Sequence, residues 1–233
     1  MIKNFKKILV VAAHPDDEVL GCGGLIKKLT KNNKQVKVIF LAEGSSCRFL
    51  ESDIQKDKVK NEIQHRENCA KKALKILNVK ESHFYNLKCG RLNTYPIIDL
   101  GKIVENEIIA FKPSAIITHS NFDVHHDHLS TFQACLQATR PSNNEIKVDY
   151  LFSFEILSST EWRYNNCFEP NVFVNIDNEI KYKIMAIKEY DSELRKFPHP
   201  RSEDGINSLA KYRGMQSGFN FAESFKLIRY FGK

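Results

Sequence analysis

An unbroken apolar run, Ile8-Leu9-Val10-Val11-Ala12-Ala13, ends abruptly in His14-Pro15-Asp16-Asp17-Glu18. A run that is apolar at every position, with β-branched Ile8, Val10 and Val11, cannot be a strand with one wet face. It reads as a strand buried on both faces, which is the signature of a parallel sheet covered by helices. The polar run then falls where such a strand leaves the sheet, and open α/β sheets gather their chemistry at the carboxyl ends of their strands. Three acidic groups and an imidazole within five residues repel one another and lose hydration unless a cation joins them. A metal ion is the natural partner.

The rest of the chain repeats the pattern. Strands are expected at Lys7–Ala13, Val36–Ala42, Ser82–Leu87, Ala115–Thr118 and Val148–Phe154. Helices are expected at Gly23–Lys31, Lys56–Leu77, Ile97–Phe111 and Leu129–Ala138. This alternation predicts a Rossmann-like α/β fold, a mostly parallel sheet with helices on both faces. In the last third, Asn171–Ile176 reads as a strand, and Glu179–Leu194 and Ser208–Met215 read as helices. Ala222–Tyr230 reads as a strand or packed apolar tail, so this third should form a mixed sheet edge. The 233 residues fit one domain, 1–233, and carry no internal repeat or low-complexity linker.

Composition narrows the function classes. No apolar stretch is long enough to span a bilayer. The N-terminus, Met1-Ile2-Lys3-Asn4-Phe5-Lys6-Lys7, runs into a strand and not into a signal h-region, so a cytoplasmic location is the expectation. The six cysteines, Cys22, Cys47, Cys69, Cys89, Cys135 and Cys167, form no CxxC pair and read as reduced thiols, with no zinc–thiolate site expected. The net charge of +7 is spread along the chain. It suits solvated helix faces or attraction of an anionic substrate, and no nucleic-acid motif accompanies it. A nucleotide loop at Gly21-Cys22-Gly23-Gly24 is disfavoured, because the acidic run before it would repel a pyrophosphate. Those glycines instead let a helix approach the loop closely.

A second polar cluster, Thr118-His119-Ser120-Asn121-Phe122-Asp123-Val124-His125-His126-Asp127-His128, follows the strand that ends at Ile117. Four of the eight histidines lie within these residues. If the first and fourth strands are neighbours, both clusters face one crevice.

Taken together, Ala12-Ala13-His14-Pro15-Asp16-Asp17-Glu18 with Gly21-Cys22-Gly23-Gly24, and Thr118-His119, Asp123, His125, Asp127 and His128, resemble the paired motifs of the PIG-L/LmbE family. Ser159-Thr160-Glu161-Trp162, His199-Pro200-Arg201-Ser202, Arg213-Gly214, Gly218 and Ala222-Glu223-Ser224-Phe225 extend the resemblance over nearly the whole chain. It implies a metal-dependent deacetylase of N-acetylglucosaminyl-type sugars. His14, Asp17 and His128 would be metal ligands, Asp16 the general base, and a protonated His125 the group that stabilises the tetrahedral intermediate or protonates the amine. Glu18 and Asp127 would support these residues. Zn2+ is the implied ion, and two histidines with one carboxylate also describe an Fe2+ site. The residue types suit the chemistry independently. A Zn2+ with three protein ligands keeps a position for water and lowers its pKa to about 7, and a carboxylate beside it can take the proton.

Arg66, Arg201 and Trp162 are candidate substrate contacts: two cations for hydroxyls or phosphates, and the single tryptophan for a sugar face. The expected partner is a small amino-sugar substrate, free or linked to nucleotide or phosphate. The resemblance also leaves room for a homo-oligomer. Three other readings stay open: an amidase acting on another glucosamine conjugate, a non-catalytic sugar- or metal-binding protein, and a basic nucleic-acid-binding module. The pairing of Asp16 with His125 argues against a pure binder, which needs neither base nor acid.

Overall fold

A computed structural model describes residues 5–141, 147–165 and 167–232. Met1 to Asn4, part of the N-terminal expectation above, lie outside the described residues.

Seven strands form one sheet: β1 (Lys7–Ala12), β2 (Gln35–Ala42), β3 (Glu81–Leu87), β4 (Ala115–His119), β5 (Tyr150–Phe154), β6 (Val172–Asn175) and β7 (Ala222–Tyr230). Six helices accompany them: α1 (Asp17–Lys31), α2 (Asp57–Ile76), α3 (Ile97–Phe111), α4 (His126–Ala138), α5 (Ile180–Lys188) and α6 (Glu203–Met215). The strand order is β3-β2-β1-β4-β5-β7-β6. Strands β3 through β5 are parallel. β7 runs antiparallel to both β5 and β6, which makes the mixed edge expected of the last third.

The six residues of the opening run divide by parity, as a pleated strand requires. Ile8, Val10 and Ala12 enter one core with Leu25, Ile26, Ala73, Leu74 and Tyr190. Leu9, Val11 and Ala13 enter the other with Leu100, Val104, Ile108 and Cys135. Burying each large aliphatic side chain contributes about 1.5–3 kcal/mol, so a strand with no polar face is locked into the sheet's centre. β1 is also where the order turns. From it the chain adds β2 and β3 on one side, then crosses to β4 on the other. The crevice at this switch point opens between the carboxyl ends of β1 and β4.

Three element boundaries depart from the sequence pattern by five residues or more. α1 begins at Asp17, six residues before Gly23, and breaks at Cys22 (φ −149°). Past the break, the free N–H groups of Gly24 and Leu25 donate to the Glu223 carboxylate at 2.8 and 2.7 Å, an acceptor from β7 that restarts the helix. A Cβ on Gly21 would stand 2.4 Å from the Phe154 ring and one on Gly24 2.8 Å from Ile176, so the glycines do serve close packing. α5 stops at Lys188, before the expected Leu194, because Tyr190 and Glu193 turn inward to hydrogen bonds described below. α6 starts earlier than expected, at Glu203, where the Ser202 hydroxyl accepts the Gly205 N–H at 3.0 Å.

Candidate active site

The β1–α1 loop holds itself by short-range bonds. The His14 N–H donates to Asp17 Oδ2 at 2.8 Å and the Asp16 N–H to Glu18 Oε2 at 3.0 Å. Asp16 caps α1 with φ 116°, a backbone conformation that a non-glycine residue adopts only under constraint. The constraint turns its side chain away from the helix and toward the crevice.

The second cluster arrives from β4 and the start of α4. His14, Asp17 and His128 bring one donor atom each to within 4.8 Å of one another, and all three are buried. Each imidazole is held from behind by a carboxylate and aims its other nitrogen at Asp17. His14 Nε2 bonds Asp127 Oδ2 at 2.8 Å, leaving Nδ1 3.4 Å from Asp17 Oδ2. His128 Nδ1 lies 3.1 Å from Asp123 Oδ2, leaving Nε2 3.5 Å from Asp17 Oδ1. Carboxylate-backed imidazoles converging on a third donor are how proteins prepare histidine ligands for a cation. A second donor set, His14, His125 and Asp127, shares His14 with the first.

The charges agree with that geometry. Burial lowers the basicity of His14 and His128, but Asp127 and Asp17 outweigh it for His14 and Asp17 and Asp123 for His128. The two imidazoles rise to about 9 and about 10. Burial would raise Asp17, yet His128 and His119 hold its carboxyl well below the usual range. These carboxylates demand positive charge at this spot, which protons on the imidazoles can carry. A bound divalent cation would take over that role, so the donor set fits one.

Asp16 stands apart from this set. Its Oδ1 meets Arg66 at 3.1 Å and its Oδ2 meets Arg201 at 3.0 Å. Burial raises its carboxyl, the two guanidiniums pull it back, and it settles at about 6. Every nitrogen of the buried Arg66 guanidinium has a protein acceptor: Nε the Pro15 carbonyl, Nη1 the Gly44 carbonyl and Glu193, Nη2 Asp16. Gly44 (φ 82°) passes so close that a Cβ would lie 2.8 Å from Arg66 Nε. Arg66 is thus buried with every guanidinium nitrogen engaged by the protein, unlike the substrate contact expected, and it positions Asp16. Arg201 also bonds Glu193 and Ser158 Oγ, and keeps one-fifth of its side chain exposed.

His125 caps α4, its Nδ1 accepting the Asp127 N–H at 3.2 Å. Burial and the nearby His14 and His128 lower it to about 4, which disfavours the protonated form expected, and Nδ1, as acceptor, leaves Nε2 to carry the ring's proton. Glu18 touches the loop rather than an imidazole: its oxygens accept the Asp16 N–H and the Tyr190 hydroxyl, and burial lifts it to about 8. The support expected from Glu18 comes instead from Asp123, gripped by Ser159 and Thr160 hydroxyls, and from Asp127, which also accepts the Gly90 and Leu92 N–H groups. His119 accepts the Ala13 N–H and stacks on His128 at 4.0 Å. His126 is exposed. Trp162, 43% exposed, stands edge-on to His199 at 6.3 Å. Arg213 forms a two-pronged bond to Glu155 at 2.8 and 2.7 Å.

Glu193 was not legible in the sequence. It accepts from Arg48, Arg66 and Arg201, and nothing local in Asp191-Ser192-Glu193 marks it. Asp123 was visible within the second cluster, though its grip on His128 was not.

Fold and site together define an α/β protein with a buried set of histidine and aspartate donors at its topological switch point. Residues 9–139 match the PIG-L family, described as GlcNAc-PI de-N-acetylase, and the chain belongs to that family. It is 24% identical over 230 residues to the diacetylchitobiose deacetylase of Thermococcus kodakarensis, covering 96% of this chain and 83% of that protein. Its fold matches the N,N'-diacetylchitobiose deacetylase of Pyrococcus horikoshii with a TM-score of 0.80 at 19% identity, over 97% of this chain and 85% of that one. It also matches GalB, the 4-carboxy-2-hydroxymuconate hydratase of Pseudomonas putida, at 0.75 and 19%, over 98% of both chains. A deacetylase and a hydratase on one fold show that the site, not the architecture, must carry the functional argument. Among the described residues no helix is long and apolar enough to cross a membrane.

Proposed function

We propose that this chain is a metal-dependent hydrolase that removes the acetyl group from an N-acetylated amino sugar of the N-acetylglucosamine type. It would work as a single 1–233 domain in the cytoplasm. The observation that carries the reading is the buried His14–Asp17–His128 donor set beside an Asp16 carboxylate held by two arginines. The names of the relatives point to the same substrate class.

His14, Asp17 and His128 would hold Zn2+, or Fe2+ on the same donors, which when bound acidifies water and polarises an amide carbonyl. Asp16 is the general base. With its carboxyl at about 6, it is ionised at neutral pH yet basic enough to accept a proton from the attacking water. Arg66 and Arg201 keep one lone pair of each Asp16 oxygen engaged and aim the rest at the crevice. His125, neutral with Nε2–H free to donate, offers a hydrogen bond where the carbonyl oxygen gains charge. The proton Asp16 has taken is then available to the leaving amine. Trp162 and the exposed edge of Arg201 would meet the sugar, including one linked to phosphate or nucleotide.

The test is acetate release from a panel of N-acetylated sugars, free, phosphorylated and nucleotide-linked, before and after chelation and restoration of Zn2+ or Fe2+. Metal-dependent release from one class establishes the reaction. Failure on every member, with metal demonstrably bound, would discard the deacetylase reading for another amide on a glucosamine conjugate or for binding alone.

A further inference from the structure

A second cluster of donors lies outside the crevice. His65 and Cys69 stand four residues apart on α2, so their side chains share one face. Asp191 reaches them from the turn after α5. His65 Nε2 is 3.0 Å from Asp191 Oδ1 and 3.5 Å from Cys69 Sγ, and one donor atom from each falls within 4.8 Å of the others. The group borders an open cavity of about 850 Å³, lined in part by Glu62, His65, Arg66, Asp191 and Ser192.

We propose that His65, Cys69 and Asp191 form a second, peripheral site for a thiophilic divalent cation of the Zn2+ class. Metal–ligand lengths of ~2.3 Å to sulfur and ~2.0–2.1 Å to nitrogen or oxygen set tetrahedral edges near ~3.5 Å for S···N and ~3.3 Å for N···O. The Cys69–His65 separation already matches. The His65–Asp191 pair must open by a few tenths of an ångström, and Asp191 must swing toward Cys69, which its exposed turn permits. A thiolate in the set selects against Mg2+ and Ca2+, and three protein ligands leave a corner for water. Cys69 is buried while His65 and Asp191 are exposed, so the ion would enter from the cavity side.

The site would not be isolated from the crevice. His65 adjoins Arg66, and Asp191 lies two residues before Glu193, which holds Arg66 and Arg201 against Asp16. An ion here would tie α2 to the turn that orients those arginines.

The experiment uses the full chain, stripped of metal and titrated with Co2+. The primary donor set contains no thiolate, so a thiolate-to-cobalt charge-transfer band in the near ultraviolet comes from a cysteine outside it, and Cys69→Ser separates Cys69 from the Cys47–Cys89 pair, whose sulfurs lie 3.0 Å apart. We expect the band in the native chain and in His14→Ala, and expect Cys69→Ser to lose both the band and one bound ion. No band in the native chain, or an undiminished band in Cys69→Ser, overturns the proposal. Should Cys69→Ser fail to fold, His65→Gln, altered at an exposed side chain, gives the same reading: retention of every ion bound by the native chain refutes the site.

Discussion

The β1–α1 loop and the segment from Tyr190 to Arg201 meet at one carboxylate but are built by opposite rules. The loop is self-contained: His14 to Asp17 and Asp16 to Glu18 are bonds between near neighbours. The distal segment has turns of its own, such as Glu193 N–H to the Tyr190 carbonyl at 3.0 Å, but its polar side chains are placed largely from afar. Tyr190 is placed by Glu18, Glu193 by three arginines and Arg201 by Asp16 and Ser158. The first region presents the Asp16 carboxylate. The second bears on its charge and direction through Arg201, 185 residues from Asp16 in sequence, and through Glu193, 127 residues from Arg66. A carboxylate can thus be placed locally while its acidity is set at a distance.

That division can be tested from both sides. The largest effect belongs to the loop. Asp16→Ala should lower the turnover of acetylated substrate by about 10²–10⁴, the usual contribution of a general base, while leaving metal content unchanged. Equal loss of metal and activity would merge Asp16 with the ligand set.

Glu193→Ala strikes the distal segment. Removing a buried carboxylate from among Arg48, Arg66 and Arg201 leaves buried positive charge without its counter-ion and should cost about 3–5 kcal/mol. Denaturant unfolding would read it. A cost under about 1 kcal/mol, the range of exposed pairs, would show that the arginine cluster is solvated in solution.

A smaller effect links the two regions. Asp16 acts as base only when ionised, so the rate should fall as pH drops through about 6. Arg201 lowers the Asp16 carboxyl, so Arg201→Met should move this acid limb to higher pH. An unshifted limb would place the controlling titration elsewhere.

The smallest effect concerns Glu18. Its folded value of about 8 lies above its ordinary value of 4.5. Its contribution to stability is therefore complete below the ordinary value and is lost as pH rises through about 8. Glu18→Gln cannot ionise, so its melting temperature relative to the native chain should climb across that window. Parallel curves for the two proteins would mean that Glu18 does not titrate there.

Much of the site was legible in the chain because short-range chemistry dictates it. An apolar run with no polar face must be a central strand, and a polar run behind it must sit at that strand's carboxyl end. The same reasoning applied to Ile116-Ile117 put the second cluster at another strand's carboxyl end, beside the first only if the two strands are neighbours, and the pairing of Ile8, Leu9 and Val10 with Ala115, Ile116 and Ile117 meets that condition. The kink at Cys22 was not legible, since its cause, the Glu223 carboxylate, lies about two hundred residues away. Nor was the end of α5, where helical periodicity continues but Glu193 is drawn off by three guanidiniums.

By itself, then, the sequence determined the parallel sheet and the residue types gathered at the carboxyl ends of its strands. Periodicity and strand-end position are local properties of a chain. Tertiary structure alone decided which carboxylate backs which imidazole, that burial and its neighbours lower the basicity of His125, that Arg66 faces Asp16, and that His65, Cys69 and Asp191 converge. Those outcomes depend on distances between segments remote in sequence, and on burial that makes each charge answer to its neighbours rather than to water.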